Sequence, residues 1–572
     1  MDRRDFIERI AMGSLAVSSL PLLSFSNHIF GRGNFTKGLP DKLSADLVIA
    51  GGGLGGIAAA LGMLRNGLTV ILTEETDWIG GQLTQQGVPP DEHRWIESHG
   101  ASRLYRDFRK AVREYYKRNY PLTEKAENRS HLNPGDGAVS RLCHEPRVAL
   151  AVLLDMLAPY LSSGKLTLLL EHKIVAADVN GDHVRALQSK SIRSGKMVTL
   201  NAPYFVDATE LGELLPLTGT EYISGAESQE ETGELHAAEE ADPTNNQAYT
   251  HCFAMDYISG ENHVISKPRD YDFWRNFEPE MKPPWPGKLL ELNYPDPSTL
   301  EPKRLGFHPE GKKTGNALNL WLYRRIINPE NFKPGTYEGG ITLVNWPQQD
   351  YFLGNIIDVR EEEFEKHIQQ GKQLSLSLLY WLQTEAPRPD GGKGWPGLRL
   401  RRDIMGTEDG LAKYPYVRES RRIKAEFTIL EQHVGAENRA MITGEESVDK
   451  AADFYDSVGI GYYHIDLHPS SGGDNYIDFS SLPFQIPLGA LLPRRMKNLL
   501  PANKNIGTTH ITNGCYRLHP VEWSIGEAVG ILVAYAMKKD VIPHTVRKNK
   551  QMLNDFQKFI RTQGIETHWP NK

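Results

Sequence analysis

Ala45-Asp46-Leu47-Val48-Ile49-Ala50 runs into Gly51-Gly52-Gly53-Leu54-Gly55-Gly56 and then into Ile57-Ala58-Ala59-Ala60-Leu61-Gly62-Met63-Leu64. The first block predicts a short buried strand, and the last a helix that stops at Asn66-Gly67. Leu68-Thr69-Val70-Ile71-Leu72 predicts the next strand, with Glu74 and Glu75 close behind it. Strand, GxGxxG turn, helix, strand and terminal acid make up a complete βαβ dinucleotide fingerprint. Gly51 permits the tight turn, Gly53 lets the backbone approach a pyrophosphate, and Gly56 lets helix and strand pack closely. The helix N-terminus offers unpaired N–H groups to the phosphates. Glu74 suits a ribose diol and would repel a 2′-phosphate, with Glu75 as its adjacent rival. Gly392-Lys393-Gly394-Trp395-Pro396-Gly397 also spells GxGxxG, but Ala386 to Gly391 is no strand and Pro396 obstructs a following helix. That stretch reads as a loop, which leaves one dinucleotide site and no second site for a nicotinamide. On the βαβ unit alone, an NAD-dependent dehydrogenase is the plainer alternative.

The remaining composition narrows the class. Of 572 residues, 40% are hydrophobic and 24% charged, enough for a large core and too apolar for global disorder. Lys plus Arg is 65 against 72 Asp plus Glu, so no basic excess is present to drive nucleic-acid binding. Cys143, Cys252 and Cys515 are far apart and odd in number. They exclude a disulfide scaffold, a cysteine zinc cluster and a redox CxxC pair, and read as small buried hydrophobes. No repeat of 20–50 residues is visible, which argues against a solenoid or propeller.

Residues 1 to about 35 read as an address. Arg3-Arg4-Asp5-Phe6-Ile7, an apolar run from Ile10 to Leu23 and Ser24-Phe25-Ser26 are the head, middle and cleavage region of an export signal. The paired arginines resemble a twin-arginine signal, the type that exports folded protein, although Asp2, Asp5 and Glu8 dilute the charge. This places the mature protein in the periplasm or otherwise outside the cytoplasm of a bacterium. The apolar run is too short and interrupted for a stable membrane span.

Asp77-Trp78-Ile79-Gly80-Gly81-Gln82-Leu83-Thr84 sets a second glycine pair just behind the ribose acid, where the backbone can again approach a long ligand. With this stretch the chain resembles the FAD-dependent oxidoreductases with a glutathione-reductase-type FAD domain, most closely a bacterial subgroup carrying "WIGGQ" at this point. The resemblance runs from about Ala45 to Met537. Its later landmarks are Phe205-Val206-Asp207-Ala208-Thr209-Glu210-Leu211-Gly212, Pro487 to Pro493, Asn498 to Gly507, Arg517-Leu518-His519-Pro520 and Ile525 to Gly530. Glu210 stands where the usual motif has glycine. The resemblance implies an α/β fold with a Rossmann-like FAD-binding domain that is discontinuous, about 40–225 plus 480–540. An α+β cap or substrate domain is inserted at about 226–479, and 541–572 forms a polar C-terminal tail. It implies FAD held by Gly51, Gly52, Gly53, Leu54, Gly55, Gly56, Glu74, Glu75, Gly80, Gly81, Gln82, Val175, Asp207, Ala208, Thr209, Asn505, Gly526, Glu527 and Ala528. The helix beginning at Pro520 is implied to aim its positive end at the flavin's N1–C2=O edge, worth roughly 0.3–2 kcal/mol to an anion there.

The middle of the chain is rich in Pro, Gly, Trp and Tyr, as in Met281-Lys282-Pro283-Pro284-Trp285-Pro286, which predicts loops and antiparallel strands. Lys372 to Leu382 and Arg418 to Leu430 predict helices, and the acidic stretch Glu227 to Glu240 a solvated loop. Gly459 to Pro469 alternates like a strand, with His464, Asp466 and His468 on one face. His-x-Asp-x-His alone is a weak metal pattern, so no metal is assigned and His468 is read as the general base. His510, Arg517 and His519 precede the flavin-facing helix and are further catalytic candidates. Arg418, Arg421 and Arg422 suit a substrate carboxylate or an ion-pair network. Trp346, Trp381 and Trp395 suit either the core or stacking on a sugar ring. The expected activity is hydride transfer from a hydroxylated small molecule, such as a carbohydrate, to flavin N5. Reoxidation would fall to a quinone, a protein carrier or oxygen. The alternatives are a reductase of an unsaturated carboxylic acid and a flavin-holding interaction protein without turnover.

Overall fold

β-Branched and leucine-rich stretches with few polar residues make the centre of the molecule. The computed structural model describes residues 40–570, so the export signal read at 1 to about 35 lies outside the described residues. Strand β1 (Leu47–Ala50) leads through the glycine turn into helix α1 (Leu54–Leu64), and strand β2 (Val70–Glu74) follows. With β3 (Leu166–Leu170), β4 (Tyr204–Asp207) and β5 (Leu499–Pro501) they form a parallel sheet in the order β5-β4-β1-β2-β3. Leu47 pairs with Val70 on one side and Tyr204 on the other, and β1, β2 and β4 are buried along their whole length. Nearly continuous apolar composition is what a sheet covered on both faces requires.

Helix α2 (His519–Lys539) crosses α1 at backbone distance. A Cβ on Gly526 would overlap the Gly55 carbonyl, and one on Gly530 the Ala59 carbonyl. Pro520 stands in the first turn of α2, where its missing N–H costs nothing.

From Lys42 onward the described chain is one compact unit with two large apolar clusters. The first surrounds the parallel sheet. The second is drawn from Leu211 to Val417 plus Tyr476, around an antiparallel sheet ordered Arg325–Ile327, Ile341–Val344, Phe253–Tyr257, Leu398–Leu400. Trp381 and Trp395 belong to this second cluster, and all three cysteines are buried and free. Gly392 to Gly397 forms a loop that enters the strand Leu398–Leu400 rather than a helix. Among the described residues no helix is long and apolar enough to cross a membrane.

Three expectations are corrected. The helix over Lys372–Leu382 is real but longer, Glu361–Thr384, whereas Arg418–Leu430 is not helical. There Arg418, Glu419 and Arg422 turn inward and are almost wholly buried, and Arg422–Ile423 pairs with Tyr222–Ile223. The buried ion pairs override the helix propensity of Arg and Glu. Glu227 to Glu240 is not a solvated loop throughout: Glu227 pairs with Arg422 at 3.0 Å, and Glu234, fully buried, accepts from the Thr509 hydroxyl at 2.7 Å. Residues 541–570 are no tail. Helices Pro543–Lys548 and Lys550–Thr562 dock on the first cluster through Val546, Leu553, Phe556 and Ile560. Burial of each of the large side chains among these contributes about 1.5–3 kcal/mol.

Candidate functional site

Two hollows are built from these elements, one at the C-terminal ends of β1, β2 and β4 and one beside the start of α2. At the first, Gly51 takes φ +96°, and a Cβ there would overlap Ala208 O. Glu74 ends β2 with its carboxyl turned back on the turn: one oxygen accepts from Gly52 N at 3.0 Å and the other from Thr76 N at 2.8 Å. Burial pushes this carboxyl up to about 7. Glu75 rises further, to about 8, through burial and the nearby Glu213, against Lys173, which pairs with both. Asp207 closes β4 by accepting from Thr209 N, the Thr209 hydroxyl and Leu214 N, and burial raises it to about 6. Asn505 ties the β5 loop to this point, donating to Asp207 O and accepting from Asn503 N. Gly53, Glu74, Glu75, Ala208 and Thr209 line the cleft together with Glu210 and Tyr414.

Some expected residues stand elsewhere. Val175 is 38% exposed and does not line the cleft; strand alternation presents its neighbour Ile174 there instead. Gly526 faces the α1 backbone, Ala528 is core, and Glu527 bonds Trp523 at 3.2 Å and pairs with Arg65 at 3.5 Å. These three are used in helix packing.

Gln82 is buried beside Arg517, which lines the second hollow. Its amide donates to Arg517 O at 2.9 Å and also bonds Glu522 in the first turn of α2. Lys504, fully buried, bonds Glu210. Burial pushes Glu522 up to about 8 although Lys504 opposes the shift.

The second hollow is a cavity of about 310 Å³ into which Arg324, Arg418, Arg517, His464, Asp466 and His468 project. Tyr294, Tyr323, Tyr416, Tyr463, Tyr476 and Trp346 supply aromatic walls. His464, Asp466 and His468 are brought together as the alternation predicts, although the strands are shorter, Ser457–Gly461 and Ile465–Leu467. His468 Nδ1 lies 2.6 Å from Asp350 Oδ2, and its Nε2 lies 3.5 Å from Asp466 Oδ2. Asp350 is wholly buried and also receives the hydroxyls of Thr250 at 2.6 Å and Tyr476 at 3.0 Å. Burial would raise its pKa, but Arg418 at 3.0 Å and His468 prevail and hold it near 2. Arg517 pairs with Asp466 at 3.0 Å and Arg324 with Asp91 at 3.2 Å. His510 lies apart, paired with Glu419 at 2.9 Å on a smaller pocket. His519 is fully buried, accepts from Asp91 N, and is pushed down to about 4 by burial. Of the catalytic candidates, His468, Arg418 and Arg517 therefore share one cavity, whereas His510 and His519 do not line it. Asp350 and Arg324 escaped sequence reasoning: neither lies in a motif, and tertiary packing alone sets Arg324 in the cavity wall and Asp350, wholly buried, behind His468.

A family model described as FAD dependent oxidoreductase matches residues 46–560. No curated protein matches the chain. Among solved structures it is similar to L-proline dehydrogenase from P. horikoshii at 17% identity, covering 32% of this chain and 24% of that one, with a TM-score of 0.17. Similar too are Sdh1 of Mycobacterium smegmatis (12% identity, 38% and 42% covered, TM-score 0.23) and quinol fumarate reductase FrdA of E. coli (10%, 92% and 74%, 0.31). The chain thus spans less than half the length of the first two chains.

Proposed function

We propose, from the premise that the chain belongs to the FAD-dependent oxidoreductase family, that it oxidises an uncharged hydroxylated small molecule such as a carbohydrate. His468 is the general base in this reading. The cofactor is FAD, which removes the NAD-dependent alternative. The residues fit it: Gly51 and its neighbours leave no room for side chains, and Glu74 keeps lone pairs for a ribose. Buried Gln82 Oε1, Asn503 Oδ1, Glu210 Oε1 and Glu522 Oε1 have no partner between the two hollows. Gly51–Gly56, Glu74, Gly80, Gly81 and Gln82 would hold the cofactor, in a Rossmann-like domain of glutathione-reductase type split around the antiparallel sheet. When bound it supplies a two-electron acceptor.

The observation that carries the reading is the His468–Asp350 pair in the cavity wall. Asp350, locked by Arg418, Thr250 and Tyr476, fixes the imidazole's orientation and leaves Nε2 toward the cavity side. His468 would take the hydroxyl proton of a bound alcohol, and the cofactor, when bound, would supply the two-electron acceptor that lets the alcohol leave as a carbonyl compound. Arg517 and Tyr416, bonded at 2.8 Å, offer donors to further hydroxyls. Charge balance favours a neutral substrate over an unsaturated acid: Arg324, Arg418 and Arg517 each already hold a carboxylate. An added carboxylate would find no unmatched cation among the three.

Electrons would leave to a quinone, a protein carrier or oxygen. Export by residues 1 to about 35 belongs to the same proposal. The test is anaerobic bleaching of the holoenzyme's flavin by sugars and polyols. Bleaching by none of them, with rapid reoxidation of chemically reduced enzyme by unsaturated acids, would overturn the assignment in favour of the reverse reaction.

A further inference from the structure

One carboxylate occupies a place that the dinucleotide fingerprint reserves for another anion. Glu210 Oε1 lies 3.0 Å from the position of a Cβ on Gly53 and 3.2 Å from one on Gly81, so both glycine turns converge on the same oxygen. Glu210 is 8% exposed, and this oxygen has no hydrogen-bond partner. Its second oxygen bonds Lys504, whose side chain is fully buried. Asn503, next in the chain to Lys504, has an unpartnered carbonyl oxygen in the same region. Glu522 faces Lys504 from the first turn of α2.

A pyrophosphate must approach the Gly53 backbone and the N-terminus of α1. It carries negative charge to the point where Glu210 Oε1 now sits. Two anions cannot share that point with one ammonium group, and a buried cation stripped of its partner is strongly disfavoured.

We propose that Lys504 is a pyrophosphate ligand of this protein and that Glu210 is its placeholder, surrendering Lys504 when FAD binds. Without ligand, Glu210 neutralises Lys504 and fills the gap between the Gly53 and Gly81 turns. With FAD, the ammonium passes to the phosphates, and the Glu210 side chain gives up the gap between the two glycine turns. This also gives a physical reason for glutamate at the position where the resembling motif has glycine: it keeps a fully buried lysine satisfied until the cofactor arrives. The inference concerns cofactor loading only and stands whatever the substrate is.

The test uses purified holoprotein, with FAD release on dilution followed by flavin fluorescence and with thermal melting of the released and reloaded forms. Glu210→Gln should bind FAD about 10- to 100-fold more tightly, the worth of one charge-assisted bond, because the competing anion is gone. The FAD-free variant should melt below wild type, widening the shift that FAD produces. Lys504→Met should lose about the same factor in affinity, and Lys504→Arg should recover most of it. If Lys504→Met fails to fold, the double change Glu210→Gln with Lys504→Met removes both buried charges and should still bind FAD more weakly than Glu210→Gln alone. Weaker or unchanged FAD binding in Glu210→Gln would overturn the proposal, as would wild-type affinity in Lys504→Met.

Discussion

The glycine-turn cleft, proposed to hold the nucleotide, and the His468 cavity are made in opposite ways. The cleft is organised on backbone: its glycine turn, the end of β2 and the start of α1 come from 24 consecutive residues, Gly51 to Glu74, and side chains such as Ile174, Glu210 and Tyr414 complete its wall. The cavity is built from side chains. His468, Arg418, Arg324 and Arg517 come from four separate segments, with Asp350 from a fifth bonded behind His468, and tertiary packing alone brings them together. The cleft's chemistry can therefore be retained while the cavity's diverges, since no residue of the His468–Asp350 pair supports the glycine turn. A site made of backbone specifies what any dinucleotide needs; a site made of side chains specifies one substrate.

If the two regions are separable, His468→Ala gives the largest effect. Reduction of the flavin by substrate should slow by about 10²–10⁴-fold while FAD content stays at wild type. Loss of FAD along with the rate would break the comparison. Asp350→Asn should follow, slowing the same step by about 10–100-fold through a misoriented imidazole, again with FAD retained.

The Asp350 carboxyl also has a stability signature. Its folded pKa, near 2, lies below the ordinary 3.8, so its contribution is present above pH 4 and is lost as pH falls from about 4 through 2. That contribution is about 2 kcal/mol, and Asp350→Asn should abolish its part of the acid-limb loss measured by denaturant titration at pH 6 and pH 3. An unchanged acid limb would mean that Arg418 and His468 do not hold the charge.

On the cleft side, Glu74→Ala should weaken FAD retention by about 10-fold and leave the rate of the FAD-saturated enzyme near wild type. The smallest effect is the sharpest test of the cleft's geometry. Val175→Ala should change FAD affinity by less than about twofold, within the range of ordinary surface substitutions, whereas Ile174→Ala, one residue away, should weaken it measurably. Equal effects at the two positions would mean that the strand presents the other face.

Glu74, Gly51 and the βαβ unit could be read directly from the sequence because their spacing is local: the turn, the helix and the two strands obey backbone periodicity within one short stretch. The pairing of His464, Asp466 and His468 on one face was readable for the same reason, a period of two. Asp350 was not, because nothing near Gln349 or Tyr351 distinguishes a carboxylate that will be buried beneath an imidazole more than 100 residues away. Arg418 to Leu430 was misread because Arg and Glu favour helices in isolation, and only the burial of Arg422 against Glu227 and Glu419 makes that segment extended. The C-terminal helices were missed because their apolar face is sparse, Leu553, Phe556 and Ile560, and gains its meaning only when the first core covers it. The sequence by itself thus determined the βαβ unit with its glycine turn, since that unit follows from local spacing and apolar runs. The tertiary structure alone decided which histidine has a buried aspartate behind it and which arginines are already neutralised, since those depend on contacts between segments that no local pattern encodes.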